Sequence, residues 1–390
     1  MMGSTSVYCF RPRASDLLEN IKSGFEREGL GDIAGRVIID RDDTGLPETT
    51  YKTVGYRDRF KKFEGKIYLP KFVIQEGDYW RDINFEMDIL KRVDWFSVNL
   101  NYICDLALDK KAFEDSEFIL ALADDKEQVI ETRTAIKSLA TWRIDKVFMT
   151  RQIIDIVPNP WIAHEICSKV ADNLISKYDD KTVGYNLAFV IEELRKQIIK
   201  ERDRLAEIIF RKLVTDKILW FFLIYDKGGY RLPSRIRIKN DTKRLVRADN
   251  SQLQKSLFEE VPEEGINQLE KSVAICLDEQ QKLLWWYRNL SRQDYFVQGW
   301  KKNKIYPDFI FTKATYNDPN DYGKIFVIET KGLHLMNEDT AYKASVFDFC
   351  NNLGQQRDWR ELNLEFAQME IEFQVISEAE WKNKINQTLS

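Results

Sequence analysis

Two stretches decide how this chain folds: Tyr306-Pro307-Asp308-Phe309-Ile310-Phe311 and Lys324-Ile325-Phe326-Val327-Ile328-Glu329-Thr330-Lys331-Gly332. Both are rich in β-branched and aromatic residues, a composition that is typical of β-strands. The residues between them, 316–323, are mostly Asn, Asp, Pro, Gly and Tyr, and most of these types favour turns. The sequence therefore predicts a β-hairpin with a long tip.

The hairpin is expected to gather charged side chains at one end. Successive side chains of a strand point to opposite faces, so Glu329 and Lys331 project from the same face. Asp308 lies on the partner strand, directly after a proline. The apolar pair Val327-Ile328 before Glu329 indicates a central strand that is covered on both faces. We therefore expect two carboxylates and an ammonium group to lie close together.

This combination of groups suits phosphodiester chemistry. Carboxylates are the ligands that Mg²⁺ prefers, with Mn²⁺ as an alternative ion, and a bound ion acidifies its water and stabilises charge on a phosphoryl oxygen. A lysine can orient or deprotonate the attacking water. Asp308 and Glu329 are the candidate metal ligands, and Lys331 completes the candidate catalytic set. The competing interpretation is a turn-forming Asp308 with a solvated Glu329–Lys331 pair, which the apolar flanks disfavour.

Composition limits the classes of function. The chain has 390 residues, enough for two or three domains, and a net charge of −4 with a pI near 5.6. Binding of nucleic acid therefore requires a local basic patch. The five cysteines are scattered without a C-x-x-C pair and are expected to be reduced thiols. No signal peptide is visible and the most apolar run, 218–225, is too short to span a bilayer, so a cytoplasmic chain with no membrane partner is expected.

The pattern of the chain predicts three regions in an α/β fold. Residues 1–157 are expected to be a mixed α/β connector or docking region, and residues 158–239 a helical region with one long charged helix over 183–215. Residues 240–390 are expected to form the domain that contains the hairpin, with a central mixed sheet flanked by helices.

A further acid is expected on a helix that precedes the hairpin. Residues 263–281 have an apolar stripe at helical spacing, and Glu270 lies at the edge of that stripe. A glutamate in this position is usually a surface residue. The helix precedes the hairpin by one strand, and the family resemblance described below makes Glu270 a candidate third metal-site acid at this place, ahead of Asp278 and Glu279.

A basic segment leads into the hairpin. Between Gln281 and Lys313 there are seven Lys or Arg residues against two Asp. Cations interleaved with aromatic residues are typical of surfaces that bind phosphates and stack bases, although at least one of Trp285 and Trp286 is expected in the core. The candidate substrate-binding residues are Arg288, Gln298, Lys301, Lys302, Lys304 and Lys343. The last of these lies in the first turn of a predicted helix over 341–353, where the helix dipole disfavours a cation, although an exposed lysine is the ordinary alternative.

A longer series of segments resembles one known family. In the same order, the chain has Glu270 to Leu277, Trp285-Trp286-Tyr287-Arg288-Asn289, Gln298-Gly299-Trp300, Ile305 to Ile310, Ile328 to Gly332 and Asp339-Thr340-Ala341-Tyr342-Lys343. Together they resemble the C-terminal nuclease region of type III restriction-enzyme-like helicase–nucleases, which belong to the PD-(D/E)xK nuclease superfamily.

The resemblance implies a restriction-endonuclease-like core and a Mg²⁺-dependent DNA endonuclease of a restriction or anti-phage defence system. It assigns catalysis to Asp308, Glu329 and Lys331, with Glu270 as a further metal-site acid. The chain has no G-x-x-x-x-G-K-[ST] loop and no acidic motor box, so no ATP site is expected. It would be the nuclease portion of a larger machine, a separately encoded subunit or a truncated fragment, and restriction-like behaviour would need a helicase or other ATPase or recognition partner in trans. Two alternatives stay open: a non-catalytic nucleic-acid-binding adaptor for a partner motor, and an RNA nuclease.

Overall fold

The structure, a computed structural model, describes residues 50–108, 144–222, 230–315, 318, 320–332, 338–355 and 370–390. The sequence pattern also predicts strands at 7–10 and 36–40 and a helix at 14–28, and all three segments lie outside these residues. The contacts divide the chain into two units, one made of residues 1–83 and 214–390 and the other of residues 84–213. The three regions predicted from the sequence stay a prediction.

The described strands, in chain order, are β1 (Tyr51–Gly55), β2 (Tyr68–Leu69), β3 (Lys71–Glu76), β4 (Tyr79–Asp82), β5 (Leu219–Phe222), β6 (Tyr230–Arg231), β7 (Arg235–Lys239), β8 (Leu283–Arg288), β9 (Phe309–Lys313), β10 (Lys324–Lys331) and β11 (Glu370–Ser377). The described α-helices are α1 (Asn101–Cys104), α2 (Lys146–Arg151), α3 (Pro160–Lys177), α4 (Asp180–Tyr185), α5 (Leu187–Thr215), α6 (Gln268–Glu279), α7 (Glu338–Gln355) and α8 (Trp381–Leu389). Shorter helical turns of other types lie at Asp58–Phe63, Phe85–Ile89, Leu90–Arg92 and Trp95–Ser97.

The predicted hairpin is confirmed. β9 and β10 pair antiparallel, with Phe326 opposite Phe311, and they lie in the middle of a four-stranded sheet of order β11-β10-β9-β8. β8 pairs antiparallel with β9, and β11 pairs parallel with β10. β10 is therefore a central strand, as its apolar sequence indicates, and the sheet is mixed. The protein belongs to the mixed α/β class.

Alternation of side chains explains how this sheet is covered on both faces. On one face Phe311 and Phe326 belong to a buried cluster with Val273 and Leu277 of α6 and Ile385 of α8. The opposite face packs on α7, where the rings of Phe347 and Phe373 are 5.4 Å apart. Trp285 and Trp286 are both fully buried, so both belong to the core.

The helix that carries Glu270 begins later than the sequence pattern indicates. It starts at Gln268, after the side chain of Asn267 accepts a hydrogen bond from the backbone N–H of Glu270 at 2.9 Å. Residues 263–267 instead form a turn in which Gly265 has φ +68°, a conformation that favours glycine. The expected start at residue 263 is wrong because this turn is held by contacts with a distant strand, described below.

Segments far apart in sequence complete the first unit. β1 pairs antiparallel with β7, so that Tyr51 faces Lys239 and Thr53 faces Arg237. Tyr56, which follows β1, forms a bridge with Phe258. Two further small sheets have the orders β4-β3-β5 and β2-β6. Residues 50–83 therefore belong to the same unit as the hairpin.

The second unit is largely helical in its described part. The sequence pattern predicts a helix at 161–177, and the structure confirms it as α3, whose first turn is capped by the side chain of Asn159. The single helix expected over 183–215 is interrupted at Asn186, whose side-chain amide donates to the carbonyl of Thr182 at 2.9 Å. No helix of the described residues is both long and apolar enough to cross a membrane.

Candidate active site

Asp308 lies directly before the first residue of β9. Its backbone N–H donates to the carbonyl of Ile328 at 2.9 Å. Its carboxylate accepts hydrogen bonds from the backbone N–H of Thr330 at 2.6 Å and from the hydroxyl of Thr330 at 2.7 Å. Two contacts to β10 therefore hold the Asp308 side chain at the end of the sheet.

A buried asparagine at the end of β8 supports this position. The amide of Asn289 donates to the carbonyls of Pro307 and Tyr295, each at 2.8 Å, and its backbone N–H donates to the carbonyl of Asp308 at 2.9 Å. Asn289 therefore holds the backbone of Pro307, the residue before Asp308, and that of Asp308 itself. Sequence reasoning missed this role, and the only available signal was a polar residue directly after an apolar strand.

The charge state of Asp308 reflects its surroundings. Burial and the negative charge of Glu329, with a smaller contribution from Glu270, raise the pKa of Asp308 to about 8. The hydrogen bonds from Thr330 act in the opposite direction but do not offset the increase. Three acidic groups are therefore close enough to influence one another, a situation that a cation would relieve.

Glu329 is the most enclosed of these acids. The residue is only 4% exposed. One oxygen, Oε1, accepts from Nζ of Lys343 at 2.8 Å and lies 3.1 Å from Nζ of Lys331. The other oxygen, Oε2, is buried with no hydrogen-bond partner among the described residues. The predicted neighbourhood of Glu329 and Lys331 on one face of β10 is confirmed.

Lys343 reaches this group from α7. Its ammonium pairs with Glu329 and lies 3.4 Å from Asp339. Burial alone would lower the pKa of Lys343, but the charge and hydrogen bond of Glu329 raise it above its ordinary value. The predicted place of Lys343 in the first helical turn is wrong, because α7 begins at Glu338 and Lys343 is its sixth residue. The side chain is 16% exposed, so it is not the solvated lysine of the ordinary alternative. Its role in substrate binding stays a prediction.

Glu270 and Arg288 form a second pair nearby. Arg288 Nη2 lies 3.7 Å from Glu270 Oε2. The Arg288 guanidinium also donates to the carbonyls of Glu264, at 3.0 Å, and Gly265, which holds the turn before α6 in place. Burial raises the pKa of Glu270 despite the charge of Arg288. The guanidinium of Arg288 therefore supports this turn. Its predicted contact with substrate would involve the same group.

The remaining candidates lie on the loop before β9. Gln298 is buried and donates to the carbonyls of Gly299, at 3.1 Å, and Lys301, at 2.7 Å. The ammonium groups of Lys301 and Lys304 lie 4.9 Å from the ring centre of Tyr342 and 4.3 Å from that of Phe296. Lys302 is partly exposed. These contacts position the loop, and the predicted substrate roles stay predictions.

The donor set suits a hard cation. Glu329 supplies a buried oxygen that has no hydrogen-bond partner in the described part of the chain, and the pKa of Asp308 is raised by burial and by the charge of this neighbour. Among the described residues no three acidic, histidine or cysteine side chains lie close enough together to hold a metal ion. Mg²⁺ commonly uses one or two carboxylates and keeps several waters, so the pair Asp308 and Glu329 fits its requirements.

Comparison of the chain with protein-family models, curated proteins and solved structures found no match.

The raised pKa of Asp308 leads to a prediction for stability. A carboxyl whose folded pKa of about 8 exceeds its ordinary value of 3.8 contributes stability that is present below pH 4 and lost as the pH rises to 8. Asp308→Asn cannot ionise and retains an acceptor for Thr330. One pKa unit is worth about 1.4 kcal/mol, so we expect the variant to exceed the wild type by at least about that amount at pH 8.

Urea unfolding of both proteins at pH 5 and pH 8 measures this difference, since contributions from titrating groups that do not interact with Asp308 cancel between them. A stability difference that does not change between the two pH values would contradict the prediction.

Proposed function

We propose that this protein is a metal-dependent nuclease that hydrolyses phosphodiester bonds of DNA. One observation carries the proposal: at the end of a central β-hairpin the Asp308 carboxylate is hydrogen-bonded to Thr330, the residue directly after Glu329, and the ammonium of Lys331 lies 3.1 Å from Glu329. The order and residue types match the P-D…E-x-K pattern, and a mixed sheet flanked by helices is compatible with a restriction-endonuclease-like core.

Each residue has a specific role in this proposal. Asp308 and Glu329 would hold Mg²⁺ or Mn²⁺, with Glu270 as a further acid. The bound ion would acidify a water and stabilise charge on a phosphoryl oxygen. Lys331 orients the attacking water, and its charge favours the anionic transition state. Thr330 and Asn289 act as positioning residues, because they hold Asp308 in place through hydrogen bonds.

The biological setting follows from the resemblance described above. We propose a cytoplasmic role in restriction or anti-phage defence, together with a helicase or other ATPase that acts in trans. The DNA backbone would be held by the candidate substrate-binding residues, Arg288, Gln298, Lys301, Lys302, Lys304 and Lys343.

Cleavage of supercoiled plasmid in the presence of Mg²⁺ tests the proposal. We expect the wild type to nick or linearise the plasmid, and both Asp308→Asn and Glu329→Gln to lower the rate by at least about 10²-fold. Each variant nearly preserves side-chain volume, so circular dichroism should report an intact fold. EDTA should stop the reaction. Equal cleavage by all three proteins, or none by the wild type with Mg²⁺ or Mn²⁺, would remove the assignment.

A second candidate is the non-catalytic adaptor, which one contact favours. Two lysines already neutralise Oε1 of Glu329, so the acidic group has a stable arrangement without an ion. Calorimetric titration with Mn²⁺ separates the two candidates. Binding that disappears in Asp308→Asn supports the nuclease, and no binding in the wild type supports the adaptor. Parallel digestion of DNA and RNA strands of the same sequence tests the RNA nuclease.

A further inference from the structure

A cleft of about 670 Å³ opens beside Asp308, within the roughly 300–1,000 Å³ that is usual for ligand sites. Asp308 and Glu270 line it, together with Asn289 after β8. Tyr51 and Arg237 of the β1–β7 pair line it as well. We call this space the Asp308 cleft. It joins the candidate acids to a part of the chain that their proposed chemistry does not use.

Tyr51 and Arg237 form a flat surface in this cleft. The guanidinium carbon of Arg237 lies 4.6 Å from the centre of the Tyr51 ring, a cation–π contact. Tyr51 is 46% exposed and Arg237 is also exposed. A large aromatic ring that stays accessible beside a cleft is available to stack against a planar ligand.

The charge on this surface is the positive charge of the Arg237 guanidinium. Neighbouring lysines of the same pair of strands have acidic partners: Lys52 pairs with Glu260 at 2.5 Å, and Lys239 with Glu264 at 2.8 Å. Among the described residues, Arg237 has no acidic partner. It shares the outward face of β7 with Arg235, which is also exposed. A local cationic face within a chain of net charge −4 favours an anionic ligand.

The ring of Tyr51 suits a planar group and the charge of Arg237 suits an anion beside it. A nucleotide within a strand has both, a base and a phosphate. In a duplex the bases are paired and stacked on one another, so their faces are not accessible to a protein ring. In a single strand each base can stack on an aromatic side chain while its phosphate approaches a cation. We propose that the Asp308 cleft binds a single-stranded DNA segment, with one base on the Tyr51–Arg237 surface and the backbone leading to Asp308.

This inference rests on the proposed function, since it specifies the substrate of the same site. It predicts that the protein prefers DNA with single-stranded character, such as a flap, a gap or a frayed end, over a continuous duplex.

Fluorescence anisotropy in EDTA tests binding without cleavage. The full-length protein is titrated into a labelled 20-nucleotide oligo(dT) and into a labelled duplex of the same length. We expect tighter binding of the single strand. Tyr51→Ala should weaken that binding about 5- to 100-fold, the usual effect of removing one base–aromatic stack, and Tyr51→Phe should retain it. Arg237→Gln should lower the slope of log K against log salt by about 0.7.

Tyr79→Ala is the matched control, because Tyr79 is a 59% exposed tyrosine of β4 that does not line the cleft. Equal affinity for both DNA forms, or no effect of Tyr51→Ala, would overturn the inference. Binding of the single strand that depends on Tyr51, without metal-dependent cleavage, would support the proposed binding cleft and contradict the proposed nuclease function. Cleavage that depends on Asp308 but is insensitive to Tyr51→Ala would support the nuclease function and contradict the proposed role of the cleft.

Discussion

Replacing Lys331 with alanine is expected to lower the rate of plasmid cleavage by about 10²–10⁴-fold, the range for loss of a general acid–base group. The ammonium of Lys331 lies 3.1 Å from Oε1 of Glu329, at the end of the hairpin where Asp308 also lies. An attacking water at this position would be oriented by the lysine, and negative charge in the transition state would be stabilised by it.

The fold should tolerate this change. Lys343 still pairs with Glu329 at 2.8 Å when Lys331 is absent, so no acid loses its only cationic partner. The melting temperature of Lys331→Ala should therefore stay close to that of the wild type. Loss of activity without loss of stability is the combination that distinguishes a catalytic lysine from a structural one.

Lys324→Ala provides the control, since Lys324 begins the same strand and pairs with Glu372 at 2.7 Å. It should cleave at the wild-type rate. Initial rates are measured with supercoiled plasmid at saturating Mg²⁺. Cleavage by Lys331→Ala within threefold of the wild type would exclude the proposed role of this lysine.

Replacing Asp278 with alanine is expected to destabilise the protein by about 3–5 kcal/mol, the cost of breaking a buried ion pair from one side. Asp278 is 0% exposed at the end of α6. Its carboxylate accepts from Nε of Arg247 at 2.7 Å and from the indole N–H of Trp286 at 3.1 Å. It also accepts from the backbone N–H groups of two consecutive residues, Gln254 and Lys255.

Alanine would leave these donors without the carboxylate. The indole N–H of Trp286 lies in the core, and a buried donor that loses its acceptor costs about 1–3 kcal/mol. Burial alone would raise the pKa of Asp278, but the backbone N–H groups, Trp286 and Arg247 lower it below the ordinary value. Its contribution is therefore present at pH 7 and is lost only as the pH falls through the folded pKa. Unfolding in urea at pH 7 measures the full effect.

Glu279→Ala is the matched control, because the next residue of the same helix is exposed. A change within about 0.5 kcal/mol is expected there. If Asp278→Ala were to cost less than about 1 kcal/mol, the carboxylate would not be the link that this geometry describes.

The hairpin was predictable because its signals are local. Alternation and β-branched composition act within a few residues, and they place Glu329 and Lys331 on one face whatever surrounds them. The apolar run before Glu329 also indicated a strand covered on both faces, and β10 lies between β9 and β11. Likewise, the stripe of α6 predicted a helix packed on this sheet, and Val273 and Leu277 are buried there.

Contacts between distant residues were not predictable from these patterns. The start of α6 depends on Arg288, whose guanidinium holds the carbonyls of Glu264 and Gly265. The sequence ranks Asp278 behind Glu270 as a candidate metal-site acid, yet its carboxylate binds the backbone of residues 254–255. The role of Asn289 was not predictable from its position after β8, since its hydrogen bonds join segments that the sequence separates.

The sequence by itself determined the secondary structure of the hairpin, the class of the fold and the residue types that can carry metal-dependent hydrolysis. Only the tertiary structure decided which cations pair with Glu329, why the pKa of Asp308 is raised, and that Tyr51 and Arg237 lie in the same cleft as Asp308. The physical reason is the distance along the chain over which each interaction acts. Strand patterns depend on neighbours in the chain, whereas burial and charge coupling depend on groups that approach only after the chain has folded.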